Sequence, residues 1–395
     1  MKIYEIGTGY TPIPAQVAAA TESVVEELTK AFIKKGQPVE IIDISTANRA
    51  PHELPITEVK VPGLFTKSDV SLGIVHKLKR VVYSLALASK LKKILKKEQD
   101  SVVLHFHNQY NLFFFLKTVS KKKRAKALIA YTNHNGLWSL PWEDTKSILQ
   151  KRYFQEIEAM KKADVVFVLN RDMKNNVSNA LGIPQDKVIQ IDNGVNTSLY
   201  APLDENEILN LKSKFELTGK KVIMQVGSVY ENKGQGRAIQ LLAPLLKQNS
   251  DLVYAYVGGI VSQEYFDEVK QTAEELGVKD QVRYLGAVSP GAEMNAFYNL
   301  ADMTIFLSKY EGFPLVCIES LSAGTPVLVF GDNLLDFGDG CIKCAIVSAE
   351  QTISNCIAHD DKMAELKRKA RENAILNYTW DKIAGDYLNS FLINN

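Results

Sequence analysis

Apolar segments of strand length alternate with helical patterns from one end of the chain to the other. Strands that alternate with helices in this way build parallel sheets with crossover helices, so the pattern predicts an α/β fold. The predicted strands are residues 2–6, 39–44, 102–106, 127–131, 165–169 and 188–191 in the first half and 222–226, 252–257, 282–285, 303–307 and 327–330 in the second half. Predicted helices between them include residues 19–35, 144–162, 233–247, 263–276 and 293–300.

The chain has 395 residues, which is too long for one ordinary core and predicts two domains. Turn-forming residues between 193 and 207 mark the expected boundary. We therefore predict domains at residues 1–197 and 198–378, with a C-terminal helix at 379–395 that packs back on the first domain. Ligands of open α/β sheets bind beyond the carboxyl ends of the strands, so two such domains facing each other would form an interdomain cleft.

The composition is that of a globular protein, with 46% apolar and 23% charged residues. No apolar run approaches the roughly 20 residues that cross a bilayer, and the first residues read as a strand, so we expect a cytoplasmic protein. The four cysteines are too few for a disulfide scaffold. Cys341 and Cys344 have the spacing of a metal knuckle, but only Cys356 and His359 lie nearby, so no metal site is predicted.

Positive charge is concentrated between Thr66 and Lys126, a segment that contains fifteen Lys or Arg and only three acidic residues. Two readings of this segment remain open. It is either the solvated basic face of an amphipathic helix or a surface that meets anionic lipid head groups. Nucleic acid is disfavoured because no recognised binding motif accompanies the charge.

The segment from Tyr310 to Ser320 carries the most specific chemistry. Glu311 precedes a Gly-Phe-Pro turn, and Glu319 lies in the helix that follows, for which Pro314 suits the first position. The free amides expected at residues 313–316 and the positive end of the helix dipole would seat a diphosphate. Carboxylates beside such a seat pair naturally with hydroxyl groups, so Glu311 is predicted to bind a hexose and Glu319 a ribose. An ordinary crossover with solvated acids is the alternative.

Other predicted strands end in residues that suit the same ligand. Gly227 opens a loop that permits close backbone approach, and Lys233 before the next helix can neutralise a phosphate leaving group. His134 directly follows one strand, whereas His107 and Asn108 follow another and are candidates for the acceptor side. A surface lysine and structural histidines are the alternatives.

These motifs resemble the retaining glycosyltransferases of family 4, also called glycosyl transferases group 1, which have the GT-B fold. The resemblance covers nearly the whole chain, and Lys233 and His134 stand at the positions of a lysine and a histidine of that family. Ser228 occupies a position where the family usually has arginine, so either Ser228 or Arg237 would have to serve the phosphate instead. Ala19-Ala20 replaces a pair of glycines.

The resemblance implies two Rossmann-like domains, the first for the acceptor and the second for the donor. It implies retaining transfer of a hexose from a UDP- or GDP-sugar to a hydroxyl of a saccharide or lipid-linked glycan, in cell-surface polysaccharide or glycoconjugate biosynthesis. No cofactor or metal is expected, since the chain has no Asp-x-Asp triplet. Residues 66–126 would then meet the inner face of the plasma membrane peripherally. The expected catalytic residues are Lys233, Glu311 and His134. The expected donor-binding residues are Ala20, Gly227, Ser228, Lys233, Val288, Glu311, Gly312, Phe313, Pro314, Leu315, Val316 and Glu319.

Two other functions stay open at this point. One is a GT-B phosphorylase or sugar-nucleotide epimerase, which would share the cleft. The other is a non-catalytic partner subunit that binds glycan or membrane, which the departures at Ser228 and Ala19-Ala20 favour.

Overall fold

The computed structural model describes residues 1–14, 19–63, 74–330 and 335–394. It divides into two compact units: unit 1 comprises Met1–Gly194 and Trp380–Asn395, and unit 2 comprises Val195–Thr379. Each unit is built on one parallel sheet with helices, which confirms the predicted α/β class.

The strands of unit 1 form a seven-stranded sheet, and those of unit 2 form a six-stranded sheet. Unit 1 contains β1 (Lys2–Ile6), β2 (Val39–Ile44), β3 (Ile56–Val59), β4 (Val102–Phe106), β5 (Ala127–Thr132), β6 (Val165–Val168) and β7 (Val188–Gln190). Unit 2 contains β8 (Lys221–Val226), β9 (Leu252–Val257), β10 (Val282–Tyr284), β11 (Met303–Phe306), β12 (Val327–Phe330) and β13 (Cys341–Cys344). The strand orders are β3-β2-β1-β4-β5-β6-β7 and β10-β9-β8-β11-β12-β13.

Helices connect these strands in both units. Those before the boundary are α1 (Ala20–Lys34), α2 (Ile74–Lys97), α3 (Gln109–Thr118), α4 (Trp142–Arg152), α5 (Phe154–Met160) and α6 (Arg171–Leu181). Unit 2 holds α7 (Glu205–Lys214), α8 (Gln235–Gln248), α9 (Gln263–Glu275), α10 (Ala292–Leu300), α11 (Leu315–Ser322), α12 (Ala349–Ile357) and α13 (Asp360–Asn377). The chain then returns to unit 1 with α14 (Trp380–Asn394).

The central strands are buried along their whole length, because helices cover a parallel sheet on both faces. In unit 1, β1 lies between β2 and β4, and its Glu5 is the register partner of His105. One core of this unit packs α1 and α14 against the sheet through Phe32, Tyr387 and Phe391. Polar side chains on β1 and β4 are therefore enclosed and have to find partners within the protein.

Two glycines hold the loops at the ends of β8 and β9 together. Gly227 and Gly258 both have positive φ, at 152° and 145°. A Cβ atom added to Gly258 would lie 2.1 Å from the carbonyl oxygen of Gly227, so no larger residue fits without moving the backbone. This contact fixes where the loop that carries Ser228 leaves the sheet.

All predicted strands are present, with small differences at their ends. The edge strands β3 and β13 were not predicted. The single helix predicted at 144–162 is wrong: Tyr153, with φ −123° and ψ 25°, separates α4 from α5. Pro314 does not take the first helical position but precedes it, with an extended ψ of 105°.

Candidate functional site

Lys233 and Glu311 meet at the carboxyl end of the sheet in unit 2. Their loops follow β8 and β11, which are neighbours in the sheet, so residues distant in sequence come together. The Nζ atom of Lys233 lies 2.6 Å from Oε1 of Glu311, and the two side chains are 18% and 23% exposed. Gly227 contacts the stem of this lysine, since an added Cβ atom would lie 3.4 Å from its Cδ. The pair is thus partly buried and reachable by a ligand.

The helix α11 begins directly after this pair, at Leu315. Its N-cap residue is Pro314, whose side chain makes no capping hydrogen bond to the amides of the first turn. Phe313 packs edge-on against Phe337, with ring centroids 5.4 Å apart, and Leu315 and Val316 pack against the core. The expected anion seat therefore has a rigid apolar support.

Glu319 lies one turn further along α11 and already has partners. Its Oε2 atom accepts a hydrogen bond of 2.8 Å from the hydroxyl of Tyr298, and the Tyr200 hydroxyl also bonds to it. Burial raises the pKa of Glu319, while the two tyrosine hydrogen bonds act in the opposite direction. Neither tyrosine was predicted from the sequence, since nothing in the motif marks them.

The expected phosphate contacts near Ser228 differ in availability. Ser228 is partly exposed, and no hydrogen bond to its hydroxyl occurs among the residues that the structure describes. Arg237 instead donates from Nη2 to the carbonyl oxygen of Leu307, at 2.6 Å. Val288 is half-buried and packs against the core of unit 2. Ser228 is therefore more available than Arg237 to bind a phosphate in place of the arginine that the family usually has.

In unit 1, the histidines at the strand ends form a buried network with Glu5, which we call the histidine network (Glu5, His105, His107 and His134). Glu5 Oε1 lies 2.9 Å from Nδ1 of His105, and Glu5 Oε2 lies 2.8 Å from Nε2 of His107. His107 Nδ1 lies 3.0 Å from Nε2 of His134. Only His134 is half-buried, while the other three side chains are enclosed. His134 was predicted from the sequence, but Glu5 was not. The sequence marks Glu5 only as an acidic residue within an apolar strand.

The charges in this network are set by burial and by neighbouring groups. Burial alone would raise the pKa of Glu5, but the charge interaction with His105 and hydrogen bonds from His105 and His107 outweigh it and lower the pKa to about 2. Burial lowers the pKa of His107 to about 4, and burial also holds the pKa of His134 well below its ordinary value. Glu5 is therefore ionised at neutral pH, and His107 and His134 are neutral.

A second buried carboxylate shapes the loop that carries His134. Glu156 accepts hydrogen bonds from Tyr131 at 3.0 Å, Asn135 at 2.9 Å and Trp138 at 2.8 Å. These three donors lie on both sides of His134 in the chain, so Glu156 holds the loop from two directions. Burial raises the pKa of Glu156 despite the three hydrogen bonds. Glu156 was also not predicted from the sequence.

The candidates for acceptor contacts, His107 and Asn108, are both buried. His107 is 4% exposed, and both of its ring nitrogens are hydrogen-bonded inside the protein. Asn108 is 5% exposed, and its side chain caps α3 by accepting from the amides of Tyr110 and Asn111. Both side chains help to stabilise the unit, and their contact with an acceptor stays a prediction.

The start of α1 faces the loop after β1. Thr8 donates a hydrogen bond to Glu22 in the first turn of this helix. No side chain caps the helix at Ala19, and Ala20 is exposed. Residues 15–18, which complete the loop, lie outside the described residues.

One group of side chains in the described part of the chain has the types and spacing of metal ligands, namely Glu5, His105 and His107. Each potential ligand atom in it is already joined to another by a hydrogen bond of 2.8 or 2.9 Å, so a metal would have to displace the bridging protons. The cysteines are all free thiols. We therefore assign no metal to these residues.

The basic segment contributes both buried and exposed side chains. Lys79 is 5% exposed and donates to the backbone oxygen of Tyr10, and Arg80 stacks on the Tyr10 ring at 4.7 Å. The exposed basic residues are Lys77, Lys92, Lys93, Lys96, Lys97, Lys117, Lys121, Lys122, Lys123 and Lys126, and the exposed apolar residues Leu78 and Leu85 lie on the same helix as the first five. Lys67 lies outside the described residues. Within the residues described, no helix is both long enough and apolar enough to cross a membrane.

Two family models match the chain, in two successive segments. The model for glycosyl transferases group 1 matches residues 208–333, and the model for glycosyltransferase family 4 matches residues 21–199. The first match contains the Lys233–Glu311 pair, and the second contains His134. The chain belongs to the family 4 glycosyltransferases. The resemblance predicted from the motifs is thereby confirmed.

Proteins similar to this chain include an uncharacterized glycosyltransferase of Methanocaldococcus jannaschii, 26% identical over 65% of this chain and 65% of that protein. GDP-mannose:cellobiosyl-diphosphopolyprenol alpha-mannosyltransferase of Xanthomonas oryzae is 22% identical over 75% of this chain and 76% of that protein. Among solved structures, Anabaena HepE in complex with UDP and glucose has a TM-score of 0.72 at 17% identity and covers 99% of both chains. The structural similarity confirms the predicted GT-B fold.

The matched segments span between 44% and 65% of the lengths of the archaeal protein and three other curated relatives of this chain. The match to HepE, in contrast, runs over nearly the whole of both chains.

Proposed function

We propose that this chain is an enzyme that transfers a hexose, with retention of configuration, from a nucleoside-diphosphate sugar to a hydroxyl group of an acceptor. The observation that carries the proposal is the Lys233–Glu311 pair, at 2.6 Å, directly before the N-terminus of α11. These groups suit a nucleotide sugar. Lys233 and the N-terminus of α11 can bind the diphosphate and stabilise its charge as it leaves, and Glu311 can accept hydrogen bonds from the hydroxyl groups of the sugar. Membership of family 4 supports the same reading.

In the proposed mechanism, the donor's diphosphate binds between Lys233 and the first amides of α11. Glu311 then exchanges part of its contact with Lys233 for hydroxyl groups of the hexose, which donate well to a carboxylate. As the bond between sugar and phosphate breaks, Lys233 and the helix dipole stabilise the negative charge that develops on the diphosphate. The acceptor hydroxyl attacks the same face of the sugar and passes its proton to the departing phosphate oxygen.

The nucleotide is proposed to bind through its ribose to Glu319. Hydrogen bonds from Tyr298 and Tyr200 hold this carboxylate in place, and an ionised carboxylate has about four lone-pair sites, so it can accept ribose hydroxyls as well. The hydroxyl of Ser228 would donate a hydrogen bond to the phosphate, at the position where the family commonly has an arginine. A hydroxyl contributes less than a cation, so we expect weaker binding of the diphosphate than an arginine would give.

We propose that transfer needs no divalent metal, because protein groups supply the charge at the diphosphate. UDP and GDP are the proposed nucleotides of the donor. Support comes from HepE, which was solved in complex with UDP and glucose, and from the Xanthomonas relative, which is named for GDP-mannose.

For the acceptor, we propose a saccharide or a lipid-linked glycan at an anionic membrane surface. Support comes from α2, whose exposed surface carries Leu78 and Leu85 together with Lys92 and Lys96. Apolar side chains beside a basic cluster suit a helix that rests in the head-group region of a bilayer. A cytoplasmic, peripheral location would follow, in the synthesis of cell-surface glycans.

The test begins with a thermal-shift screen of UDP- and GDP-sugars against the full chain. A bound donor at 100 times its dissociation constant stabilises the folded protein by about 2.7 kcal/mol, which is readily seen as a raised melting temperature. The donor that binds is then mixed with candidate acceptors, and release of the nucleoside diphosphate is measured. We expect release that depends on the acceptor. Release without an acceptor accompanied by an epimerised sugar, or no binding of any nucleotide sugar, would contradict the proposal.

A non-catalytic binding subunit is the second candidate, and Ser228 in place of an arginine favours it. This candidate predicts that a nucleotide sugar or glycan raises the melting temperature while no nucleotide is released with any acceptor. The same two assays therefore separate it from the enzyme.

A further inference from the structure

The donor and the acceptor of each hydrogen bond in the path from Glu5 through His107 to His134 can be assigned, starting from Glu5. This carboxylate is ionised and can only accept, so the ring nitrogens that contact it, Nδ1 of His105 and Nε2 of His107, both carry protons. No Lys or Arg pairs with Glu5 in the part of the chain that the structure describes. The protons on the two imidazoles are therefore what stabilises the buried charge.

The direction continues from His107 to His134. Because His107 is neutral and its proton is on Nε2, its Nδ1 atom has a lone pair and must accept. The donor in the 3.0 Å contact is then Nε2 of His134. A neutral imidazole carries one proton, so the remaining nitrogen of His134, Nδ1, is left as an acceptor.

This acceptor is open to a ligand. His134 is half-buried at the carboxyl end of β5, and no hydrogen bond reaches its Nδ1 atom from the described residues. A sugar hydroxyl can donate to such a nitrogen, whereas an ionised phosphate oxygen cannot. We infer that Glu5, acting through His107, fixes His134 in the tautomer whose Nδ1 atom is bare and can accept a hydrogen bond from a hydroxyl group of a ligand.

Glu5 and His107 are positioning residues in this inference, since they act through His134. The His105 side of Glu5 has a separate role. His105 Nε2 lies 2.7 Å from the hydroxyl of Thr132, and Thr132 lies 3.2 Å from the hydroxyl of Tyr387 on α14. This branch holds the second oxygen of Glu5 and does not pass through His107, so it offers a matched control.

The tautomer is measured by long-range ¹H–¹⁵N correlation spectra of the full chain labelled with ¹⁵N-histidine, which distinguish the protonated ring nitrogen from the bare one. Single His→Asn variants assign the signals of the six histidines. In the unaltered protein we expect His134 to be protonated at Nε2 and bare at Nδ1. A His134 signal protonated at Nδ1 would overturn the inference without any variant.

Glu5→Gln tests whether Glu5 sets the direction. A glutamine amide can donate to Nε2 of His107, which moves that proton to Nδ1 and reverses the contact with His134. We expect His134 in Glu5→Gln to be protonated at Nδ1, and we expect Thr132→Val to leave it unchanged. A folded Glu5→Gln variant with an unchanged His134 would refute the role of Glu5. A shift of both His105 and His107 on adding one equivalent of Zn²⁺ would instead identify a metal site and also refute the inference.

Discussion

Replacing Lys233 with alanine is expected to reduce catalysis far more than stability. The ion pair with Glu311 is partly exposed, at 18% and 23%, and such pairs contribute at most about 1 kcal/mol to the free energy of unfolding. During transfer, the same lysine would face the charge that develops on the diphosphate in a site from which water is largely displaced. Removing one such preorganised group typically costs about 2.7–4 kcal/mol of transition-state stabilisation, or about 100- to 1,000-fold in kcat.

The assay compares kcat from nucleotide release with unfolding free energy from urea denaturation, for Lys233→Ala, Glu311→Ala and the double variant. Lys309→Ala is the matched control, because Lys309 forms a similar pair with Glu231 at 2.5 Å that is largely exposed, at 47% and 76%. We expect the control to retain kcat within about twofold. A Lys233→Ala variant that keeps more than a tenth of the activity, or one whose activity falls only because it unfolds, would refute the assignment of this lysine.

Four further outcomes follow from the structure. The pKa of Glu5 is about 2 in the folded protein against an ordinary 4.5, so its contribution to stability is complete above pH 4.5 and is lost as the pH falls toward 2. Urea denaturation should show that the difference in unfolding free energy between the unaltered protein and Glu5→Gln becomes smaller below pH 4.5. A difference that does not change with pH would contradict this expectation. Dialysis against EDTA should leave the rate of nucleotide release within about twofold, and a loss restored by Mg²⁺ or Mn²⁺ would show a metal requirement. Replacement of both Lys92 and Lys96 by alanine should weaken flotation with phosphatidylglycerol vesicles by about thirtyfold, at about 1 kcal/mol for each lysine, and unchanged binding would remove the membrane proposal. Gly258→Ala should lower the unfolding free energy by more than about 2 kcal/mol, since its Cβ atom would lie 2.1 Å from a backbone oxygen, whereas Gly259→Ala, with nothing within 4 Å, should be close to neutral.

The sequence predicts the buried strands well for a physical reason. Strands covered by helices on both faces are continuous apolar runs, such as Leu252–Val257, and these are visible without any partner. The strands Ile56–Val59 and Cys341–Cys344 lie at sheet edges and are partly exposed, so they lack that signal. Element types were therefore predictable in the core and less so at the margins.

The candidate site divides in the same way. Glu311 and Lys233 could be placed together because each belongs to a local pattern at a strand end. Glu5 could not, since its two partners, His105 and His107, lie about a hundred residues away and the contact depends on the strand order β2-β1-β4. The role expected for His107 stays a prediction, and sequence spacing did not reveal that both of its ring nitrogens are hydrogen-bonded inside the unit.

The most direct test of retaining transfer is the configuration of the product made by the unaltered protein. ¹H NMR spectra of a reaction that contains the bound nucleotide sugar and its acceptor report the coupling constant at the anomeric carbon of the transferred hexose. Retaining transfer from an α-linked donor predicts an α-linked product that appears together with the free nucleoside diphosphate. A β-linked product, or a sugar that is altered while still attached to its nucleotide, would contradict the account.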